Sequence, residues 1–273
     1  MPATVADRPI TAFLDGEDSP DIPNPIHSTE VAAQYGFPAP LVGGVTVYGW
    51  FTPAILEVLG DRWLSDGWAD VRFRRPVYPG DEVVAHVEAT PTGADVRMLL
   101  PGGDSAISGT AGLGRAPWFD ELDVPTLRPA EPKPDVLPAL TLESAPANAE
   151  LRPQPVPYSI EEARAYARDF QRDSDARFAG EAPYIHPGWV AARMTPLLKH
   201  SFAYGPSIHM ASRIQHLASA PAGQQFTMVG RFLRAYEQKG HHVAQLDGSL
   251  FTESGLEVAR IRHTTAFRIR PAN

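Results

Sequence analysis

The sequence predicts an α+β protein in which one unit occurs twice in tandem, each copy an antiparallel sheet wrapped around a long central helix. Three observations carry this expectation. The chain repeats itself at a fixed shift, residues 41–59 are apolar on nearly every face, and strand-and-turn patterns follow such a helix in both halves.

The repeat emerges when the chain is slid against itself by 143 residues. Pro40 then falls on Pro183, Thr52-Pro53 on Thr195-Pro196 and Gly80 on Gly223. Apolar positions coincide as well, Val42 with Ile185, Val47 with Val190, Phe51 with Met194, Ile55 with Leu198 and Val71 with Ile214. The register holds without a gap from Pro40 to Gly80. A chance alignment would not bring paired prolines and turn glycines together, so the chain reads as a duplicated domain.

Within each copy the elements follow in order. Residues 41–59 (LVGGVTVYGWFTPAILEVL) have no polar face, so this helix is expected to be buried all round. Pro53 is expected to kink or break it. The segment VRFRRPVYPGDEVVAHVEA follows, rich in β-branched and aromatic residues, with a turn at Pro79-Gly80. Further strands are expected in DVRMLL (95–100) and SAISGTAGLG (105–114), separated by turns at Thr92-Gly93 and Pro101-Gly102. In the second half a helix begins near His186, and SIHMASRIQHL, QFTMVGRFLRAYEQKG, HHVAQLDGSLF and VARIRHTTAFRI supply the strands. A long buried helix followed by antiparallel strands is the order of the hotdog architecture, here a tandem or double hotdog. The expected division is an N-terminal hotdog at 1–116, a connector at 117–157 and a C-terminal hotdog at 158–273. Proline marks the connector: the chain has 28 prolines, many of them between Pro117 and Pro157, about twice the usual ~5%. Such a stretch favours an extended path, and Trp118, Phe119 and its leucines suit one lying against the protein surface.

Composition narrows the function. A net charge of -8 argues against a nucleic-acid partner. No apolar run is long enough for a membrane span, and MPATVADRPITAF lacks the pattern of a signal peptide. Cysteine is absent, which removes disulfides, thiolate metal ligands and cysteine nucleophiles and suits a cytoplasmic protein. The histidines His186, His209 and His241-His242 have no metal-site spacing, so no metal and no cofactor are expected. Gly-rich phosphate loops, nucleophile elbows and dinucleotide fingerprints are absent.

Residues 24–44 read NPIHSTEVAAQYGFPAPLVGG, and VRFRRPVYPGDEV follows the helix. This resembles the MaoC-like hydratase and dehydratase family, whose mark is Asp-x-Asn-Pro-aliphatic-His, then Gly-Phe, then Pro-aliphatic-Val-His-Gly at the buried helix, then a Pro-Val-x-x-Gly-Asp turn. Asn24, Pro25, Ile26, His27, Gly36-Phe37, Pro40, Val42, Gly44, Thr52 and residues 76–81 stand on matching positions, and the specific part of the resemblance covers about residues 20–90. In the second half YSIEEARAYARDF (158–170) looks like the helix that leads into such domains. The sequence departs from the pattern twice. The position of the family's catalytic Asp holds Ile22, with Asp21 one residue further off, and Gly43 stands where the family commonly has His; its second-half counterpart is His186.

The resemblance implies reversible addition of water to a 2-enoyl thioester, carried on coenzyme A or an acyl carrier protein, by an enzyme for which a homodimer stays open. It makes His27 and Asp21 the catalytic pair, each within reach of one proton in transit. Gly43 and Gly44, at the helix start, would receive the thioester oxygen, since free amide hydrogens point outward there. Thr52 would bond the carboxylate, and Asn24, His186 and His209 complete the set of candidate substrate-binding residues. Each has a plainer reading: a solvated loop acid for Asp21, a turn residue for Asn24, helix packing for the glycines, a satisfied strand histidine for His209. Arg72, Arg74 and Arg75 read as phosphate ligands or as solvated strand residues. Two other functions stay open: a thioesterase or biosynthetic tailoring enzyme on the same scaffold, and a non-catalytic acyl-binding or partner subunit.

Overall fold

The computed structural model describes residues 3–14 and 16–271. The first half runs β1 (Val5–Thr11), a 3-10 turn (Pro25–His27), α1 (Thr29–Gln34), α2 (Gly44–Gly49), α3 (Thr52–Leu59), α4 (Trp63–Asp66), β2 (Gly67–Phe73), β3 (Glu82–Thr90), β4 (Gly93–Leu99) and β5 (Ser105–Leu113). The second runs β6 (Ala149–Glu150), β7 (Gln154–Tyr158), α5 (Ile160–Ala165), α6 (Ala176–Ala179), α7 (Pro187–Ala191), α8 (Met194–Ser201), β8 (Ile208–His216), β9 (Gln224–Gln238), β10 (His241–Thr252) and β11 (Glu257–Arg268). Among the described residues these strands join in one sheet of order β1-β3-β4-β5-β2-β8-β11-β10-β9-β6, with β7 also on β9.

The two copies meet where β2 pairs antiparallel with β8. Asp70 stands opposite Arg213, and these residues occupy the same repeat position, so the halves are related by a pseudo-twofold through this pair. Arg213 Nε donates to Asp70 Oδ2 at 3.0 Å.

Both central helices are buried and broken at the same place. Trp50 and Phe51 keep helical dihedrals between α2 and α3, so the path continues, but Pro53 has no amide hydrogen and its ring crowds the carbonyl four residues back. Pro196 does the same between α7 and α8. Phe51, Ala54, Met194, Leu197 and Leu198 are inaccessible to solvent. The helices approach where α2 and α7 meet: a Cβ on Gly188 would lie 2.9 Å from Gly49 Cα, so only glycine permits this distance.

Besides the two-residue β6, the structure adds two strands that the hydrophobic patterns hide. β1 pairs with β3, although its run VADRPIT buries only Ala6. The end of the 117–157 connector is the corresponding strand of the second copy, β7, paired with β9. Pro155 and Pro157 are tolerated there because they face outward on an edge while Val156 and Tyr158 point in. The rest of the connector follows the protein, with Leu140 and Leu151 buried in the core and Ala149–Glu150 paired to β9 as β6. Ala116, Trp118 and Leu122 cluster with Trp68, and the Asp123 amide donates to Asp247 Oδ2 at 2.7 Å. Residues 158–170 form α5, with a Ser159–Glu162 capping box, and then a π-helical turn at Tyr166–Phe170.

Separating the halves bares the β2 edge, and unpaired edges aggregate. Residues 1–116 produced alone are expected to be insoluble or self-associated in sedimentation. A soluble monomer unfolding cooperatively in urea would contradict this seam.

Candidate functional site

A cavity of about 260 Å³ opens between the start of α2 and the first residues of β8. Phe37, Val47, Phe73 and Ile107 give it apolar walls. Its polar lining comes from both halves: Asn24, His27, Gly43 and Gly44 from the first, and Thr195, Ser207 and His209 from the second. The exposed Arg74 and Arg75 stand at its rim, Arg74 donating to Ser108 Oγ and Arg75 paired with Asp104. No carboxylate occurs among the described residues that line it.

The local sequence sets His27 in place. Pro25 opens the 3-10 turn, Ile26 is 1% exposed in a cluster with Ala32, Leu41 and Ile269, and Ser28 caps α1 by accepting from the Val31 amide. With both neighbours anchored, the imidazole projects into the cavity. Its Nδ1 lies 2.6 Å from the Leu41 carbonyl, which only accepts, so Nδ1 carries the hydrogen and Nε2 has the lone pair. That Nε2 receives a longer contact, 3.2 Å, from Asn24 Nδ2.

Asn24 ties the halves together. Its Nδ2 donates to the Ser207 carbonyl and its Oδ1 accepts from the Ser207 amide, both at 3.0 Å. The amide orientation is thus fixed, and with it the hydrogen aimed at His27. α2 begins at Gly44: the Thr46 and Val47 amides bond back to the Gly43 carbonyl, and the Gly44 and Val45 amides precede the first acceptor of the helix. A Cβ on Gly44 would lie 3.1 Å from two carbons of the Phe73 ring and 3.5 Å from His209 Cβ. Glycine therefore keeps the helix start open to the cavity and close to His209.

Behind the second-half wall is a chain of polar groups. His209 Nε2 lies 2.7 Å from Ser212 Oγ and 3.1 Å from His263 Nδ1, and His263 Nε2 lies 3.5 Å from Thr195 Oγ1. Burial pushes His263 down to about 3 and His209 well below the usual imidazole range, the latter helped by the neighbouring His263. Both rings are neutral at ordinary pH.

Of the residues singled out from sequence, Asn24, His27, Gly43, Gly44 and His209 converge on this cavity. Three do not. Asp21 is exposed and outside the lining, since the Ile22-Pro23 insertion sets it beyond the turn that carries His27. Thr52 lies in the core at 1% exposure, and its repeat counterpart Thr195 reaches the cavity in its stead. His186 is 1% exposed and caps α7, its Nδ1 accepting from the Gly188 amide at 3.0 Å and its Nε2 lying 3.5 Å from Asp173 Oδ2. Desolvation holds it below its ordinary pKa. Thr195, Ser207, Ser212 and His263 were not singled out. The repeat itself pairs Thr195 with Thr52, and alternation puts His263 on the inner face of its strand between Ile261 and Thr265.

His186, His209, His216 and His263 are all held neutral by burial, His216 down to about 4. Each takes up a proton near pH 6.5 on unfolding but only at lower pH when folded, so acid favours the unfolded chain. Stability is expected to fall as pH drops from about 6.5 toward 4, by up to about 3 kcal/mol from His216 alone. Urea midpoints measured across this range check it, and His216→Phe, beside Trp63, is expected to flatten the slope. A midpoint independent of pH would contradict it.

Comparison with known proteins bears on the fold. Residues 19–98 match the family described as MaoC like domain. A Mycobacterium tuberculosis protein described as having a double hotdog fold is similar at 14% identity, over 97% of this chain and 96% of that one, with a TM-score of 0.64. A Chloroflexus aurantiacus protein described as a MaoC domain protein dehydratase is similar at 13% identity, over 89% and 86%, with a TM-score of 0.57. A Lactobacillus plantarum protein described as an oleoyl thioesterase is similar at 9% identity, over 99% and 98%, with a TM-score of 0.52. No curated protein sequence matches the chain. The fold is thus an α+β double hotdog, and residues 19–98 are similar to the MaoC like domain.

Proposed function

We propose that this chain, a double hotdog with a MaoC-like domain, adds water to a 2-enoyl thioester or removes it from a 3-hydroxyacyl thioester, with His27 as the acid–base group. The observation that carries the reading is the His27 ring, held by its 2.6 Å bond to the Leu41 carbonyl with Nε2 bare of hydrogen, in the cavity that Gly43 and Gly44 also line. In the hydration direction a water oxygen bonds to the β-carbon while Nε2 takes its proton. The double-bond electrons move to the thioester oxygen, which the amides at the start of α2 stabilise. The imidazolium then returns the proton to the α-carbon, so the sum is one water added. With no carboxylate in the lining, one base handles both proton positions. The 3.2 Å contact with Asn24 is the weaker of the two that hold the ring, and the reacting proton replaces it. Arg74 and Arg75 at the rim suit the phosphates of coenzyme A or of a carrier-protein arm.

A second reading, thioester hydrolysis, is favoured by the same lack of a carboxylate. Water activated by His27 would attack the carbonyl, and the same amides would stabilise the oxyanion.

Loss of enoyl absorbance with short 2-enoyl-CoA substrates tests the proposal. His27→Ala is expected to lower kcat at least ~10²-fold with little change in KM, and Asp21→Asn to leave kcat unchanged. Release of free thiol without loss of the enoyl group would favour hydrolysis. Unchanged hydration by His27→Ala would remove the catalytic assignment.

A further inference from the structure

The base, the helix start and the rim leave one wall of the cavity without a task, and that wall belongs to the second half. Thr195 and His209 form its surface. Behind them lie His263, inaccessible to solvent, and Ser212, 2% exposed; a hydrogen-bonded chain runs from Thr195 Oγ1 through the His263 ring to His209 Nε2, which Ser212 Oγ also meets. Inward positions of a sheet are ordinarily apolar, and polar groups buried there are costly unless partnered. Here His263 and Ser212 are buried behind the half-buried His209 and Thr195, and the chain ends on the cavity.

A neutral imidazole has one donor and one acceptor nitrogen, so the chain has a direction. Whichever ring carries the shared hydrogen, His263 holds the Thr195 hydroxyl in one orientation and leaves its other hydrogen-bonding side to the cavity. The wall carries no carboxylate and no cation. Arg74 and Arg75 are exposed at the rim and engaged with Ser108 and Asp104. It therefore suits an uncharged hydroxyl rather than a carboxylate or phosphate. The repeat supports a specific role, because Thr52 at the equivalent position is packed in the core.

We infer that Thr195, positioned by His263 and His209, binds the oxygen that is added to or lost from the β-carbon, so that the second half holds the hydroxyl and the first half moves the proton. This rests on the hydration reading for its chemistry, but the hydroxyl subsite is testable by binding alone. Burial keeps His209 and His263 uncharged at ordinary pH, so the subsite is neutral.

The test is calorimetric binding of 3-hydroxybutyryl-CoA and of butyryl-CoA, which lacks the hydroxyl, in a His27→Ala background where neither is turned over. The hydroxy compound is expected to bind at least ~10-fold more tightly. Thr195→Val, of nearly the same shape, is expected to abolish the preference without weakening butyryl-CoA, and Thr195→Ser to restore it. With His27 present, Thr195→Val should lower kcat for crotonyl-CoA hydration about 10-fold with KM little changed. A preference that survives Thr195→Val, or no preference and no binding at all, overturns the inference, whether or not hydration is observed. A Thr195-dependent preference in a protein that does not hydrate crotonyl-CoA upholds the subsite and refutes the hydration reading.

Discussion

The pairing of β2 with β8 is the constraint on which the rest of the molecule depends. Each hotdog has an open sheet edge, and this seam closes both with backbone hydrogen bonds. At its centre two residues of the same repeat position face each other. Two identical copies would have set like against like, whereas Asp70 opposite Arg213 favours pairing of one half with the other. The seam brings α2 against α7 at Gly49 and Gly188, and it sets the start of α2 beside Gly44's neighbours Phe73 and His209. The cavity is a product of that junction. The twin bonds between Asn24 and Ser207 then lock the His27 turn of one half onto the strand start of the other.

Duplication provides two equivalent places for a site, and the halves have diverged between them. Around the helix start of the first half, glycines leave space. Around that of the second, His186 stands at the position of Gly43 and turns its ring onto the Gly188 amide, and Phe178 packs edge-on against it at 4.7 Å. The space there shrinks to about 10 Å³. Thr52 and Thr195 show the reverse trend, the first in the core and the second on the cavity wall. One composite cavity results, with His27 from one copy and much of its polar wall from the other.

Much of this was legible in the chain itself. A helix apolar on all faces has one physical outcome, burial, and a proline at the same place in both copies breaks both helices. The repeat pointed to the fold, and the NPIH turn pointed to a histidine that the structure sets in the cavity lining. Strands with little burial were harder to read: β1 leaves only Ala6 buried, and β7 alternates prolines with its inward residues, so neither carries a strong hydrophobic pattern. Site residues contributed by the partner half were legible only in part. His209 was noticed for its type, but nothing local in TPLLKH or RIRHTT shows that Thr195 and His263 meet it across a pseudo-dyad. Asp21 takes the plainer of its two readings, an exposed loop acid outside the lining, because distance along the chain is a poor guide to reach when a proline intervenes.

The account stands on where the oxygen of water goes. The most direct measurement is mass spectrometry of a short 2-enoyl-CoA incubated with the protein in water labelled with heavy oxygen. Hydration assisted by His27 predicts label in the 3-hydroxyl group of an intact thioester, and none in the His27→Ala product. Label confined to a released carboxylic acid, or an enoyl thioester recovered unlabelled, would contradict it.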